Sequence, residues 1–463
     1  MKKRRIISLL LTLLILMQLF ALPAWATEEG AAEETAEETA EETAEDAAET
    51  PEPEPETAPP PELNCKGAML VELNSNTVVY EMNADERLYP ASLTKIMTCL
   101  VALERGNLTD EVEVDGALFE GMDADASIVG LYPGEKLSLE ELLYGLMVAS
   151  GNDASLVVAD HIAGSVEGFV EMMNQKAQEL GCTGTHFVNP DGLHDDDHYT
   201  TARDMITMTK AALQSETFRT LCGTASHEIP ETNASSSRMI YTTNYFMSAI
   251  ITSKYYWDKV SGVKTGFTTP AGRCLVSLVE EDGFSYLSVV LGCETPYDEN
   301  GEPVYGHFTE SRKLLEYGLD NFTFVSVLSH LNPIAQVPVS SGTVNSVVIA
   351  PAEDLNALLP AEYDPGKIDI SYTLRDGDAL QAPLSADETV GTVTVTYDGK
   401  EVGTTDARTI SAVERNAILA TPTKDDPAFL RLVPIVIIVA AVLLLVVAKV
   451  NRAKSRKRRK RRR

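Results

Sequence analysis

Helical spacing of apolar residues dominates the first half of the patterned chain, and strand-like alternation dominates the second. Ala68–Glu72 and Thr77–Glu81 are short strand patterns around the turn-forming Asn74-Ser75-Asn76. Ser92–Arg105 carries a helical pattern that stops at Gly106. Leu139–Ala163 is mostly helical, Val166–Leu180 is amphipathic and ends at Gly181, and Arg203–Gln214 continues the helical theme. The period then shortens, and Gly262–Lys264, Arg273–Glu280 and Tyr286–Leu291 read as neighbouring strands, the last two joined by a turn at Asp282-Gly283. Strands, a helical block and returning strands predict an α+β domain over 64–325, with α/β as the alternative. Beyond it, Val347–Ala350, Lys367–Leu374, Gly391–Tyr397 and Lys400–Thr404 predict a small all-β domain over 335–412, followed by a linker over 413–428 that includes the polar Thr421–Asp426.

The two ends follow different rules. Lys2–Arg5, the apolar run Ile6–Leu22, Pro23 and the small-residue pattern Ala24-Trp25-Ala26 predict a signal peptide over 1–26. The polar sequence that follows at once favours cleavage after Ala26 over an uncleaved helix. Residues 27–63 repeat Glu-Glu-Thr-Ala units and then a Pro/Glu stretch, which buries too little apolar surface to offset its ordering entropy, so a disordered linker is expected. Leu432–Ala448 is nearly unbroken apolar sequence, and with its flanks it predicts a transmembrane helix over 429–450. The basic tail over 451–463 reads as a stop-transfer signal that keeps the carboxyl terminus in the cytoplasm and the body outside. Lipid or nucleic-acid binding by that tail is the alternative.

Charge narrows the partners. The formal net charge is −31 although basic residues crowd both ends, so the body between them is strongly acidic and repels phosphate backbones. No nucleic-acid partner is expected. Cys65, Cys99, Cys182, Cys222, Cys274 and Cys293 lack CxxC spacing. Cys274 and Cys293 flank the Asp282-Gly283 turn and could lie close across two strands, the alternative being buried free thiols. His186, His194 and His198 lie near Asp195–Asp197 without metal-site spacing, so a polar surface loop is expected there and no metal or cofactor.

Three short motifs carry the chemistry. Ser92-Leu93-Thr94-Lys95 puts a hydroxyl and an amine at i and i+3, on one helical face. A serine needs a neighbouring base to become a nucleophile, and a lysine serves only if burial and another cation lower its pKa. Ser150-Gly151-Asn152 offers a hydroxyl and an amide at a break in the helical block, and Lys264-Thr265-Gly266 offers a charge, a donor and room for close backbone approach. That last set suits a peptide with a free carboxylate lying along a sheet edge.

In this order the motifs resemble those of penicillin-binding proteins and serine β-lactamases. Tyr89–Thr98, Leu142–Ala154, Thr185–Leu193 and Lys264–Gly272 look like the low-molecular-weight D-alanyl-D-alanine carboxypeptidases, a peptidase S11-like family. The resemblance spans 65–412 and implies a penicillin-binding transpeptidase-like domain, an antiparallel sheet with a helical block, followed by the small β domain. It implies removal of the terminal D-alanine from peptidoglycan stem peptides, inhibition by β-lactam antibiotics, and no cofactor. The body would sit on the outer side of a bacterial cell membrane, held by a single-pass helix. Ser92 would form the acyl-enzyme with Lys95 as base, Ser150 would relay protons, and Asn152 would order the substrate amide. Lys264 would tune the electrostatics and Thr265 hold the carboxylate, while the N–H groups of Ser92 and of Phe267, after Gly266, would form the oxyanion hole. Phe267 stands where related enzymes often have histidine, and His307 where they often have a carboxylate-binding arginine. Asp204 would support the site indirectly or sit on a helix surface. A β-lactamase and a non-catalytic penicillin-binding sensor or scaffold are the alternatives. The absence of an E-x-x-L-N segment weighs against the first, and the presence of all three motifs against the second.

Overall fold

The computed structural model describes residues 59–123, 126–416, 437–449 and 452. The signal segment, most of the acidic linker, Thr421–Asp426 and all of the basic tail except Arg452 lie outside the described residues. The chain opens with strands β1 (Gly67–Glu72) and β2 (Thr77–Met82), then a 3-10 turn over Ala91–Thr94 that runs into helix α1 (Lys95–Arg105). A short pair, β3 (Glu111–Glu113) and β4 (Lys136–Ser138), leads to α2 (Leu139–Met147), α3 (Asn152–Ala163), α4 (Val166–Glu179), α5 (Ala202–Ala212) and α6 (Glu216–Gly223). The hairpin β5 (Ser226–Ile229) and β6 (Arg238–Tyr241) precedes β7 (Val260–Thr268), β8 (Gly272–Glu281), β9 (Phe284–Cys293) and α7 (Gly306–Asn321). Four of the helices begin on a hydroxyl cap, from Ser138, Ser165, Thr201 and Ser215, each accepting a first-turn N–H.

The central sheet is antiparallel, in the order β2-β1-β9-β8-β7. Both faces of its middle strands are covered. Met69, Val71, Val276, Leu287 and Val289 pack with the helical block, while Ala68, Leu70, Leu275, Tyr286 and Val290 pack with Phe308, Leu314 and Leu315 of α7. Successive strand side chains point to opposite faces, so a strand covered on both sides becomes continuously apolar. Every residue of β1 is buried.

The α+β expectation holds, with local differences. The expected break in Leu139–Ala163 is present, where Ser150 adopts a left-handed φ of 60° between one helix and the next. Lys264-Thr265-Gly266 lies in the middle of β7, an edge strand, rather than at a strand end. The β-rich region starts earlier than expected: β10 (Phe322–Leu328) follows α7 directly and pairs with β13 (Leu355–Pro360). Of the others, β11 (Ala335–Ser340), β12 (Ser346–Pro351), β14 (Ile368–Leu374), β15 (Leu380–Gln381), β16 (Thr389–Tyr397) and β17 (Lys400–Thr409) form a second sheet around Val337, Ile349, Val393 and Val395. Bridges from Val413 and Arg415 extend this order into the segment expected to be linker. All six cysteines are free thiols, five of them buried, so Cys274 and Cys293 form no disulfide. Residues 437–449 are helical, but among the described residues no helix is long and apolar enough to cross a membrane. The transmembrane helix expected over 429–450 is therefore not shown: thirteen described residues rise roughly 20 Å, short of a hydrocarbon core about 30 Å thick.

One buried carboxylate holds the approach to the cleft. Asp153 in the first turn of α3 accepts hydrogen bonds from the backbone N–H groups of Val129 (2.9 Å), Gly130 (2.9 Å) and Leu131 (3.1 Å). Replacing Asp153 with alanine orphans these donors, and stability in urea denaturation is expected to fall by about 3 kcal/mol.

Candidate active site

Ser92 sits in the 3-10 turn that precedes α1, and Lys95 is the first residue of that helix. Ala91, just before Ser92, has a left-handed φ of 48°, an uncommon conformation for a residue with a side chain. Two neighbours hold this turn. Gly266 lies so close that a Cβ there would stand 2.8 Å from the carbonyl oxygen of Pro90 and 3.1 Å from the nitrogen of Ser92. Gly192 (φ 85°) lies closer still, since its Cβ would come within 2.0 Å of the Ala91 oxygen. The glycine of the third motif thus allows strand β7 to press against the serine turn.

The Lys95 amine is fully buried. Its Nζ lies 3.1 Å from Ser92 Oγ and donates to Asn152 Oδ1 (2.9 Å) and to the carbonyl of Asp191 (2.6 Å). A neutral amine has two N–H donors and one lone pair. With both donors taken, the lone pair is left for the serine hydroxyl. Burial pushes the Lys95 pKa down to about 8, against the opposing pull of Asp191 and Asp153. Lys264 is also fully buried, and its pKa falls well below the ordinary value, first from burial and then from the Lys95 charge. Two buried amines thus occupy the floor of one site, and a charge on Lys95 disfavours one on Lys264.

Above them is a cleft of about 690 Å³ lined by Ser92, Ser150, Asn152, Thr265, Gly266 and Phe267 among others. The structure therefore brings six of the eight sequence-predicted residues to the cleft wall and buries the two lysines beneath it. Phe267 is exposed, with the Arg273 guanidinium 4.6 Å from its ring centre. His307 lines the cleft but is no cation: burial, and then the nearby Arg273 charge, hold its pKa near 3. Asp204 is no surface carboxylate. It is buried and accepts from Gly184 N (2.9 Å) and Thr185 Oγ1 (2.7 Å), fixing the loop that leads to Asp191.

Sequence reasoning missed several supports. Thr243 bonds the Thr265 hydroxyl and also lines the cleft. His198, expected in a surface loop, is buried beneath the serine turn. Its Nδ1 accepts from Val188 N (3.1 Å), so Nε2 carries the proton and donates to Thr94 Oγ1 (2.8 Å), which in turn donates to the Ala91 carbonyl (2.9 Å). Burial keeps His198 neutral, with a pKa near 4. Both of its nitrogens are occupied, which explains its place without a metal. The Thr94–His198 contact joins residues 104 apart and the Thr243–Thr265 contact residues 22 apart, and neither leaves a local pattern.

Comparison with known proteins agrees with this geometry. Residues 54–295 match the D-alanyl-D-alanine carboxypeptidase family, and residues 322–415 match the C-terminal domain of penicillin-binding protein 5. The chain is 32% identical over 340 residues to the D-alanyl-D-alanine carboxypeptidase DacF of Bacillus subtilis, covering 72% of this chain and 82% of that protein. It is 33% identical over 364 residues to DacA of Haemophilus influenzae, covering 76% and 86%. Penicillin-binding protein 5 from Haemophilus influenzae superposes with a TM-score of 0.61 at 30% identity, over 77% of this chain and 99% of that one.

The depressed lysine sets a pH dependence. Lys95 must be unprotonated to accept a proton, and the neutral fraction rises as pH passes the pKa. The rate at limiting substrate is expected to climb through a midpoint near 8, and a pH profile of kcat/KM checks this.

Proposed function

The chain belongs to the D-alanyl-D-alanine carboxypeptidase family, serine hydrolases with a penicillin-binding protein fold, and from that premise we propose how its residues perform the reaction. A peptide ending in D-Ala-D-Ala lies along the edge of β7 with its terminal carboxylate toward Thr265. The neutral Lys95 amine takes the Ser92 hydroxyl proton as Oγ attacks the carbonyl carbon of the penultimate D-alanine. The N–H groups of Ser92 and Phe267 receive the oxyanion. Asn152 gives its Oδ1 to Lys95, which leaves its NH2 end for the substrate amide. The proton on Lys95 passes by way of Ser150 to the departing amine, the C–N bond breaks, and D-alanine leaves. Water then attacks the ester on Ser92: Lys95 takes a proton from that water and passes it to Ser92 Oγ as the ester bond breaks, so the shortened peptide leaves and the neutral amine and the serine hydroxyl are restored. Lys264, buried beneath the same cleft, tunes the electrostatics of the site through its repulsion with a charged Lys95.

The carrying observation is the Lys95 geometry: a buried amine whose two donors are spent and which sits 3.1 Å from the Ser92 oxygen. The proposed natural substrate is the peptidoglycan stem peptide, and β-lactams are proposed to acylate the same serine. Export with single-pass anchoring in a bacterial cell membrane is part of this reading. It is supported by the signal-like start, the apolar Leu432–Ala448 and the basic tail.

Incubation with a D-Ala-D-Ala peptide tests the chemistry. Wild type should release D-alanine and retain a fluorescent penicillin through denaturation, and Ser92→Ala should do neither. Release by the Ser92→Ala protein would remove Ser92 from the mechanism.

A further inference from the structure

Two of the six cysteines meet across the central sheet. β1 and β9 run antiparallel in a register that sets Gly67 opposite Leu291, and continuing it by two residues sets Cys65 opposite Cys293. Backbone bonds bracket the pair: Lys66 N donates to the Leu291 carbonyl (2.9 Å), and Glu294 N to the Asn64 carbonyl (3.2 Å). Asn64 N donates in turn to Glu310 Oε2 of α7 (3.1 Å), so the segment ahead of β1 is fixed from two directions. Opposed residues of antiparallel strands have Cα atoms about 4.5–5.5 Å apart. That lies within the roughly 4.4–6.8 Å that a disulfide spans. Both side chains are on the α7 face, where Cys293 belongs to the core with Phe308 and Leu314, and Cys65 packs against it. Cys274 is on the opposite face, with the helical block. A hydrogen bond with Cys65 adds to burial in pushing the Cys293 thiol well above its ordinary range. Cys65 alone of the six is only half-buried, which gives a reagent access to one member of the pair.

We propose that Cys65 and Cys293 are the site of a disulfide that ties the start of the catalytic domain to the end of its central strand β9. The oxidant is a small-molecule or protein disulfide. The Cys65 thiolate attacks one of its sulfurs and displaces a thiolate, which leaves a mixed disulfide on Cys65. The Cys293 thiolate then attacks the Cys65 sulfur and expels the second thiolate. Two protons leave the cysteines, one S–S bond forms in the protein, and the S–S bond of the oxidant is reduced to two thiols. The link closes a loop of roughly 230 residues that holds all three motifs, so it restricts the unfolded chain far more than the folded one. It also anchors the strand end from which the chain runs on to Tyr305 at the cleft. Disulfide oxidants belong to compartments outside the cytoplasm, where the proposed export takes this domain.

The test exposes the full-length protein to oxidised and reduced glutathione at graded ratios, blocks the remaining thiols by alkylation and maps the peptides by mass spectrometry. Wild type should lose two thiols and yield a linked peptide joining Cys65 to Cys293, and so should Cys274→Ala. Cys293→Ala should stop at the mixed disulfide on Cys65, and Cys65→Ser should form no link. Oxidised wild type should melt about 5–10 °C above the same protein reduced with dithiothreitol, and the difference should vanish in Cys65→Ser. A link through Cys274, or no link in folded wild type at the most oxidising ratio, overturns the proposal. So does a Cys65–Cys293 link that leaves the melting temperature unchanged, because the bond would then tie nothing that unfolding releases. Should a variant fail to fold, wild type oxidised and then reduced decides alone, through the linked peptide and a melting shift that reverses with it.

Discussion

Burial of a single amine organises this protein. Lys95 is held out of water by α1, by Asn152 at the start of α3 and by the Asp191 carbonyl, which belong to three separate stretches of chain. An ammonium in such a place loses its hydration, and the pKa falls to about 8, which brings the neutral form within reach of physiological pH. The neighbouring acceptors also decide which way the remaining lone pair faces. Many features of the catalytic region serve this arrangement. The loop through Gly192 fits against the serine turn only because it has no Cβ, His198 props that turn from below, and Asp204 fixes the loop from behind.

The chemistry-bearing serine and lysine were legible in the sequence because one helical turn brings i and i+3 together whatever the rest of the fold does. The third motif was legible as a strand segment, although its position at mid-strand was not. Its glycine is explained by an approach to the Ser92 turn from residues far along the chain. The break after Met147 was legible from the turn-forming Ser150-Gly151-Asn152, although the left-handed backbone of Ser150 that makes it was not. His198 and Thr243 carried no periodic signal. Each is defined by hydrogen bonds that only the folded chain brings together.

Arg273 shows the same limit in a different form. As a sequence feature it is one arginine at a strand start. Only the register of β7 with β8 sets it against Phe267, and only the entry into α7 brings Tyr305 and His307 to its other side. The charge pattern then acquires meaning. The two lysines of the motifs are desolvated beneath the cleft, which leaves the Arg273 guanidinium as the arginine on its wall.

The state of the Lys95 amine is the central physical claim, and it can be observed directly. A nuclear magnetic resonance titration of protein labelled with carbon-13 in its lysine side chains, with Lys95→Arg used to assign the signal, follows that one amine. A Lys95 resonance that titrates near pH 8 is expected. A resonance that stays in the protonated position up to pH 10 would contradict the mechanism, because the base beside Ser92 would then be charged whenever the enzyme works.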